Sequence, residues 1–348
     1  MSFSWPQVLS TLMGGTDLPP NAAGWAMDQI LAGDATPVQV AGFAVALRAK
    51  GESVGEISGL AEAMLDHALP IRLDTEAVDV VGSGGDRAGT VNVSTMAAIV
   101  AAACGVPVVK HGNRAASSSC GTADCLEALG VAIDVPPAAQ PAVLAEVGIV
   151  FLFAAMYHPA LRFVASARRE LGVPTTFNFL GPLANPARPA AQAVGVADAR
   201  MAPLIAGVIA GRGNRGLVFH GGDGLDELTT TTSSEVWVIR NGEVTQARLD
   251  PSALGIAPAG RDDLVGGDPA HNAGVVREVF GGAAGPVRDI VALNAAAAQL
   301  AFAGPDPDAP LADQFAGPLE RAYAAIDSGA AAAVLDNWAR VSTAARPS

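Results

Sequence analysis

Three short stretches of this sequence have the makings of an anion site. Gly82-Ser83-Gly84-Gly85-Asp86 follows an apolar run at 78–81 and holds three glycines in four positions. Such a turn lets the backbone approach an anion and aims several N–H groups at it. Asn92-Val93-Ser94-Thr95 brings side-chain hydrogen-bonding groups to the start of a helix, where orphan amides already favour phosphate. Lys110-His111-Gly112-Asn113-Arg114 is the densest cationic group of an acidic chain, and the hydroxyls of Ser117, Ser118 and Ser119 stand behind it. Phosphate needs amides and hydroxyls for its oxygens and cations for its charge, and residues 82–118 hold all three. Together they describe a polyanion pocket. A dinucleotide fingerprint would need Gly at Arg87, and a Walker A loop would need Gly-Lys-Ser/Thr; neither is present. Further on, Asp226-Glu227 follows the turn Gly221-Gly222-Asp223-Gly224. Taken alone, two adjacent acids in a chain of charge −13 read as a solvated acidic turn.

These residues need elements to carry them. The first seventy positions read as helices, with Asn21 as one cap and capping boxes at Thr36/Gln39 and Ser53/Glu56. From Asp79 onward short apolar runs alternate with helical patterns. Strands are expected at 78–81, 106–109, 149–153, 194–196 and 217–220, and the Gly-rich turn then sits at the carboxyl end of the first. Ser94 or Thr95 reads as the cap of the next helix, residues 110–119 as a polar loop, and 124–129 and 159–171 as helices. Asn241-Gly242 closes a hairpin, and Ala-rich helices end the chain. The expected fold is α/β: a small N-terminal helical domain (1–72), with the segment near 165–190 packed on it. A larger α/β domain (73–348) follows, with a central mixed, largely parallel sheet.

Composition narrows the function. Half of the 348 residues are hydrophobic and 16% are charged, which suits a large packed core rather than a disordered chain. The net charge of −13 opposes a nucleic-acid binder, although amides and a metal can still hold an anion. Cys104, Cys120 and Cys125 form no disulfide framework or zinc set. No apolar run reaches membrane-span length, and the opening residues show no signal-peptide pattern, so a cytoplasmic location is expected.

VVGSGGD, NVST, KHGNRAASS and GTAD resemble, in order and spacing, the GTGGD, N-x-ST, KHGNR and GSAD signatures of the anthranilate phosphoribosyltransferase family. FNFLGPLANP and GLDELTTTT extend the resemblance over about residues 70–300. It implies a homodimer, joined through the helical domain, that transfers phosphoribosyl from 5-phosphoribosyl diphosphate (PRPP) to anthranilate with Mg2+. It also implies the site. Gly82, Gly85 and Asp86 would line the diphosphate and anthranilate entrance, while Thr90, Asn92, Val93, Ser94 and Thr95 would hold phosphate. Lys110, His111, Gly112, Asn113, Arg114, Ala115, Ala116, Ser117 and Ser118 would form a loop over PRPP, with Thr122 beyond it. Asn113, Gly82 and Arg168 would face anthranilate, and Asp226, Glu227 and Ser94 the magnesium. Lys110 and His111 would be the catalytic pair, His111 either accepting a late proton or making only a phosphate or backbone contact. Ser83, Thr122, Ala155-Met156 and Pro174 depart from the family pattern. A pyrimidine nucleoside phosphorylase would share the fold class but not FNFLGPLANP or GLDELTTTT.

Overall fold

The computed structural model describes residues 3–115 and 119–346. Four helices open the chain: α1 (Trp5–Met13), α2 (Pro20–Ala32), α3 (Pro37–Lys50) and α4 (Val54–Asp66). Both expected capping boxes form, at Thr36 with Gln39 and at Ser53 with Glu56. Helix α2 begins one residue before the expected Asn21 cap. Pro20, with its preset φ and missing donor, takes the first helical position.

The rest of the chain builds a sheet with helices on both faces. In order it contains β1 (Val78–Gly82), α5 (Val93–Ala103), β2 (Val108–Gly112), α6 (Thr122–Ala128), α7 (Gln140–Val147) and β3 (Ile149–Phe153). Then come α8 (Ala154–Tyr157), α9 (Arg162–Leu171), β4 (Ala191–Gly195), α10 (Ala202–Gly211) and β5 (Arg215–Gly221). The hairpin β6 (Ser234–Arg240) and β7 (Glu243–Leu249) precedes α11 (Pro269–Phe280), α12 (Pro286–Ala303), α13 (Leu311–Asp327) and α14 (Ala330–Ala344). Asn241 and Gly242 both take positive φ, as a type I′ turn demands.

The seven strands lie in the order β3-β2-β1-β4-β5-β6-β7, the first five parallel and the last two antiparallel to their neighbours. The chain leaves β1 first toward β2 and later toward β4, so the strand order reverses beside β1. Ligand crevices of open α/β sheets form at such a point, outside the carboxyl ends of the strands.

Alternating side chains divide the core in two, as the pleat requires. Val80, Ala193, Leu217 and Val238 face a cluster containing α5 and α12. Val81, Val194, Val218 and Trp237 face a second cluster containing α10 and the first four helices. Val164 and Ala167 of α9 and Phe179, Leu180, Leu183 and Ala184 belong to that second cluster.

Two local expectations are corrected. Helix α5 is capped by Asn92 and starts at Val93, so Ser94 and Thr95 lie in its first turn. Strand β2 begins later than 106 and continues through Gly112, so Lys110 and His111 are buried strand residues rather than part of a polar loop. The reason is pairing. Residues 108–112 run in register with 149–153 of β3, and Lys110 tolerates that burial because Val80 O and Ser94 Oγ accept from its Nζ.

Candidate active site

The carboxyl ends of β1 and β4 form a flat floor. Gly82 and Gly195 are register partners, and a Cβ on either would collide with Asp226. Between β1 and α5, residues 83–89 loop outward with positive φ at Gly84, Gly85, Arg87 and Gly89. The turn of this loop is tied down by an acid, because the Gly84 N–H donates to Asp226 Oδ2 at 2.6 Å. Gly85 has no atom within van der Waals reach of a Cβ position, so its amide region stays open. Thr90 closes the loop by an antiparallel bridge to Val265.

Acids crowd this corner. Burial and the charge of Asp86 push the Asp226 carboxyl up to about 7. Burial and the neighbouring Asp226 push Glu227 well above the carboxylate range. Lys110 is the buried cation among them, 1% exposed, and Asp79, Glu227 and Asp226 all act on its charge. Its Nζ donates to Val80 O at 2.5 Å and to Ser94 Oγ at 3.2 Å. One lysine does not balance three neighbouring carboxyls. The surplus is a ready place for a further cation. Among the described residues no group of three or more His, Cys, Asp or Glu side chains could hold a metal alone. Two adjacent carboxyls, Asp226 and Glu227, would suit Mg2+ where substrate oxygens and water supply its remaining positions.

His111 stands on the other side of β2. Its Nδ1 donates to Gly181 O at 3.3 Å, and its ring meets His158 edge-on at 5.2 Å between centroids. His158 in turn donates from Nε2 to Ala184 O at 2.8 Å. Burial and the adjacent His158 push His111 down to about 3, so the ring is neutral at pH 7. His111 Nε2, a lone-pair acceptor in that tautomer, has no partner among the described residues.

The remaining expected residues divide into those the structure commits elsewhere and those it leaves open. Asn92 is committed: its Nδ2 donates to Cys120 O, and its Oδ1 accepts from Asn272 Nδ2 at 2.8 Å. In the first turn of α5 the Val93 N–H donates to Val91 O at 2.7 Å and the Ser94 N–H to the Glu227 carboxyl, whereas Thr95 Oγ1 is buried and unpartnered among the described residues. Arg114 is also occupied, at 2.8 Å from Asp124 and 2.6 Å from Glu127, and lies over the Phe153 ring. Asp124 further accepts from the N–H groups of Ala115 and Gly121, and so ties both ends of the loop to α6. Asn113 is exposed, and its Oδ1 accepts the Arg114 N–H. Thr122 opens α6 against the glycine at 112. Ala116, Ser117 and Ser118 lie outside the described residues. Arg168, on α9, is half-buried and its guanidinium makes no hydrogen bond or ion pair among the described residues, whereas Arg169 is exposed.

Four participants escape a reading of the sequence: Gly195, Asp223, Asn272 and Asp79. Asp223 accepts from the hydroxyls of Thr229 and Thr231 at 2.8 and 2.5 Å and so folds the segment that carries Asp226 and Glu227. The run of threonines after the acidic pair is the signal that could have found it. Asn272 sits on α11, a helix whose weak apolar pattern hides it.

Residues 74–332 match the glycosyl transferase family, a/b domain, and residues 6–68 match that family's helical bundle domain. The chain is 60% identical over 343 residues to a protein named anthranilate phosphoribosyltransferase from Acidothermus cellulolyticus, covering 99% of this chain and 96% of that one. Among solved structures, anthranilate phosphoribosyltransferase from Thermus thermophilus superposes with a TM-score of 0.89 at 39% identity, over 97% of this chain and 99% of that one. The Saccharomyces cerevisiae protein of the same name, in complex with PRPP and Mg, gives 0.87 at 26% identity over 98% of each chain.

Proposed function

The chain belongs to the anthranilate phosphoribosyltransferase family of glycosyl transferases, and from that premise we propose how its residues divide the work. It transfers the phosphoribosyl group of PRPP to the amine of anthranilate, giving N-(5-phosphoribosyl)anthranilate and diphosphate, the second step of tryptophan biosynthesis from chorismate. The C1–O bond to diphosphate breaks as the anthranilate nitrogen bonds to C1. The ribose passes through oxocarbenium character, and negative charge gathers on the leaving diphosphate.

The observation that carries the assignment is the acidic corner of Asp226 and Glu227 against one buried lysine, at the carboxyl ends of β1 and β4. Asp226, Glu227 and Ser94 hold Mg2+ together with phosphate oxygens. Bound there, the ion neutralises charge developing on diphosphate. The amides of Gly82, Gly85 and Asp86, with Thr90 and the hydroxyls of Ser94 and Thr95, take phosphate oxygens, and the amino end of α5 adds its positive dipole. Lys110 contributes the fixed charge beneath them. Asn92, Gly112, Asn113, Arg114, Ala115 and Thr122 shape the wall around PRPP.

Arg168, a guanidinium without a partner among the described residues, pairs the anthranilate carboxylate, with Asn113 and Gly82 at the same end. The attacking aromatic amine is neutral at pH 7, so no strong base is needed to start the reaction. Once bonded to C1, its nitrogen is an anilinium, itself a strong acid. His111 Nε2 therefore serves as a weakly basic acceptor or orienting group, which suits a ring held neutral by burial.

The exposed Met13 and Val38, each 81% accessible, with Val45, leave an apolar face on α1 and α3 that a second copy covers in a homodimer. No helix of the described residues is long and apolar enough to cross a membrane, and a cytoplasmic location fits the metabolic step. Following anthranilate fluorescence with PRPP and Mg2+ tests the whole reading. Its loss should require all three components, and fluorescence that persists in the complete mixture would refute the assignment.

A further inference from the structure

Strands β1 and β2 lie side by side but are barely zipped. They share one register pair, Val78 with Val108, whereas β1 with β4 and β2 with β3 each pair over five positions. Beyond Val78 the sheet splits toward its carboxyl end, where Lys110 and His111 stand. Backbone groups facing the split are buried, and an unpaired buried N–H or C=O is costly. Side chains meet them instead. Asp79 Oδ1 accepts the His111 N–H at 3.2 Å. Asn185 Nδ2 donates to Val109 O at 2.8 Å. Lys110 Nζ donates to Val80 O.

Asp79 and Asn185 are 0% and 3% exposed, so neither can be a solvated surface residue. Asn185 also accepts the Ala187 N–H at 3.0 Å, which fixes the segment whose Gly181 O receives His111 Nδ1. One frame thus fixes both the backbone and the ring of His111. A buried carboxylate inside a sheet is an expensive way to join two strands, since an ordinary ladder would do it with backbone alone. The expense makes sense if the split itself is needed.

We propose that Asp79 and Asn185 are positioning residues for phosphoribosyl transfer: they replace the missing β1–β2 ladder, hold the sheet open at its carboxyl end, and so set where Lys110 and His111 meet the substrates. This rests on the reading of Lys110 and His111 as site residues. Neither Asp79 nor Asn185 touches the substrates itself.

The test uses the full chain with PRPP, anthranilate and Mg2+, in the variants Asp79→Ala, Asp79→Asn and Asn185→Ala, with Lys110→Met for comparison. Amide hydrogen exchange over residues 108–112 reads the frame directly, and steady-state kinetics on the folded fraction read its effect. Asp79→Ala and Asn185→Ala should speed that exchange and lower kcat/KM for PRPP by about 10-fold or more. Asp79→Asn retains an acceptor for the His111 N–H and should restore protection and most of the activity. Unchanged exchange and kinetics in both alanine variants would overturn the inference, and so would Asp79→Asn being as impaired as Asp79→Ala. Should Asp79→Ala fail to fold, Asn185→Ala decides by the same two readouts. Normal kinetics in Lys110→Met would remove Lys110 from the site. An impaired Lys110→Met beside normal Asp79 and Asn185 variants would instead sink only the positioning role.

Discussion

Gly195 can turn nothing larger than a hydrogen toward Asp226, because a Cβ there would overlap the Asp226 carbonyl oxygen. The cause is steric, since Gly195 does not adopt positive φ. Gly195→Ala should therefore displace the loop that carries the acidic pair and lower turnover by at least ~10-fold, the scale of misplacing a reacting group. Gly211→Ala is the control, at the end of α10 with nothing within reach of a Cβ. It should leave activity intact and hold or slightly raise the thermal midpoint. Equal activity in the two variants would show that the floor tolerates a methyl group.

Arg168→Ala should raise the anthranilate KM far more than the PRPP KM, while Arg169→Ala should leave both near the parent values. The neighbours differ in setting: Arg168 is half-buried without a counterion among the described residues, and Arg169 is exposed. Burial pulls the Arg168 guanidinium down from its usual range, an uncompensated desolvation that a substrate carboxylate would relieve. Kinetics with each substrate varied decide between them, and an unmoved anthranilate KM would place the carboxylate elsewhere.

Much of the site is legible in the sequence because glycines and hydroxyls cluster where strands end. Gly82 to Asp86 and the start of α5 stand out as local patterns and need no tertiary knowledge. Lys110 and His111 read as loop residues because two polar residues after an apolar run look like a loop; only the pairing of β2 with β3 draws them into the sheet. Gly195 between two valines looks like any strand glycine, and its reason is a contact with Asp226 that no local pattern encodes. Asp79 is hidden likewise. An acid inside Val78-Asp79-Val80 counts against a strand until the split beside it supplies the His111 N–H as a partner.

Acid should destabilise the protein through His111. Its folded pKa is depressed to about 3 from an ordinary 6.5, so below 6.5 the unfolded chain binds a proton that the folded chain refuses. That contribution is complete above about pH 6.5 and is lost as pH falls toward 3. Asp79 works in the opposite sense. Burial raises it to about 6, so its contribution is present below about 3.8 and is lost as pH rises through 6. His111→Gln removes the first effect alone. Relative to the variant, the parent should lose stability steadily between pH 6.5 and about 4, measured by urea unfolding at each pH. Parallel curves would mean that His111 takes up its proton alike in the folded and unfolded chain.

Replacing Asp226 with Asn and Glu227 with Gln should abolish function while making the free protein more stable, two effects of opposite sign from one cause. Both acids are held above the ordinary carboxylate range by burial and by Asp86, Asp226 at about 7, and Asp226 also raises Glu227. A raised folded pKa means that stability is present below the unfolded value and is lost as pH rises through the folded one. At pH 8, above the Asp226 value, the parent therefore bears the strain of a buried charge that the amides do not. Lys110 is not stranded by the change, because Asp79 still acts on its charge. The thermal midpoint of the double variant should exceed that of the parent at pH 8, and the gap should close toward pH 5. Without the two carboxylates the corner keeps only Asp86 to hold Mg2+ against diphosphate, so turnover should fall by at least ~100-fold, the scale of losing a principal electrostatic group. Excess Mg2+ should not restore it. Stability given up at a site whose ligand supplies the missing charge is the mark of a functional cluster. A variant that is both inactive and less stable at pH 8 would make the pair a structural feature, and one that turns over normally at limiting Mg2+ would place the metal elsewhere.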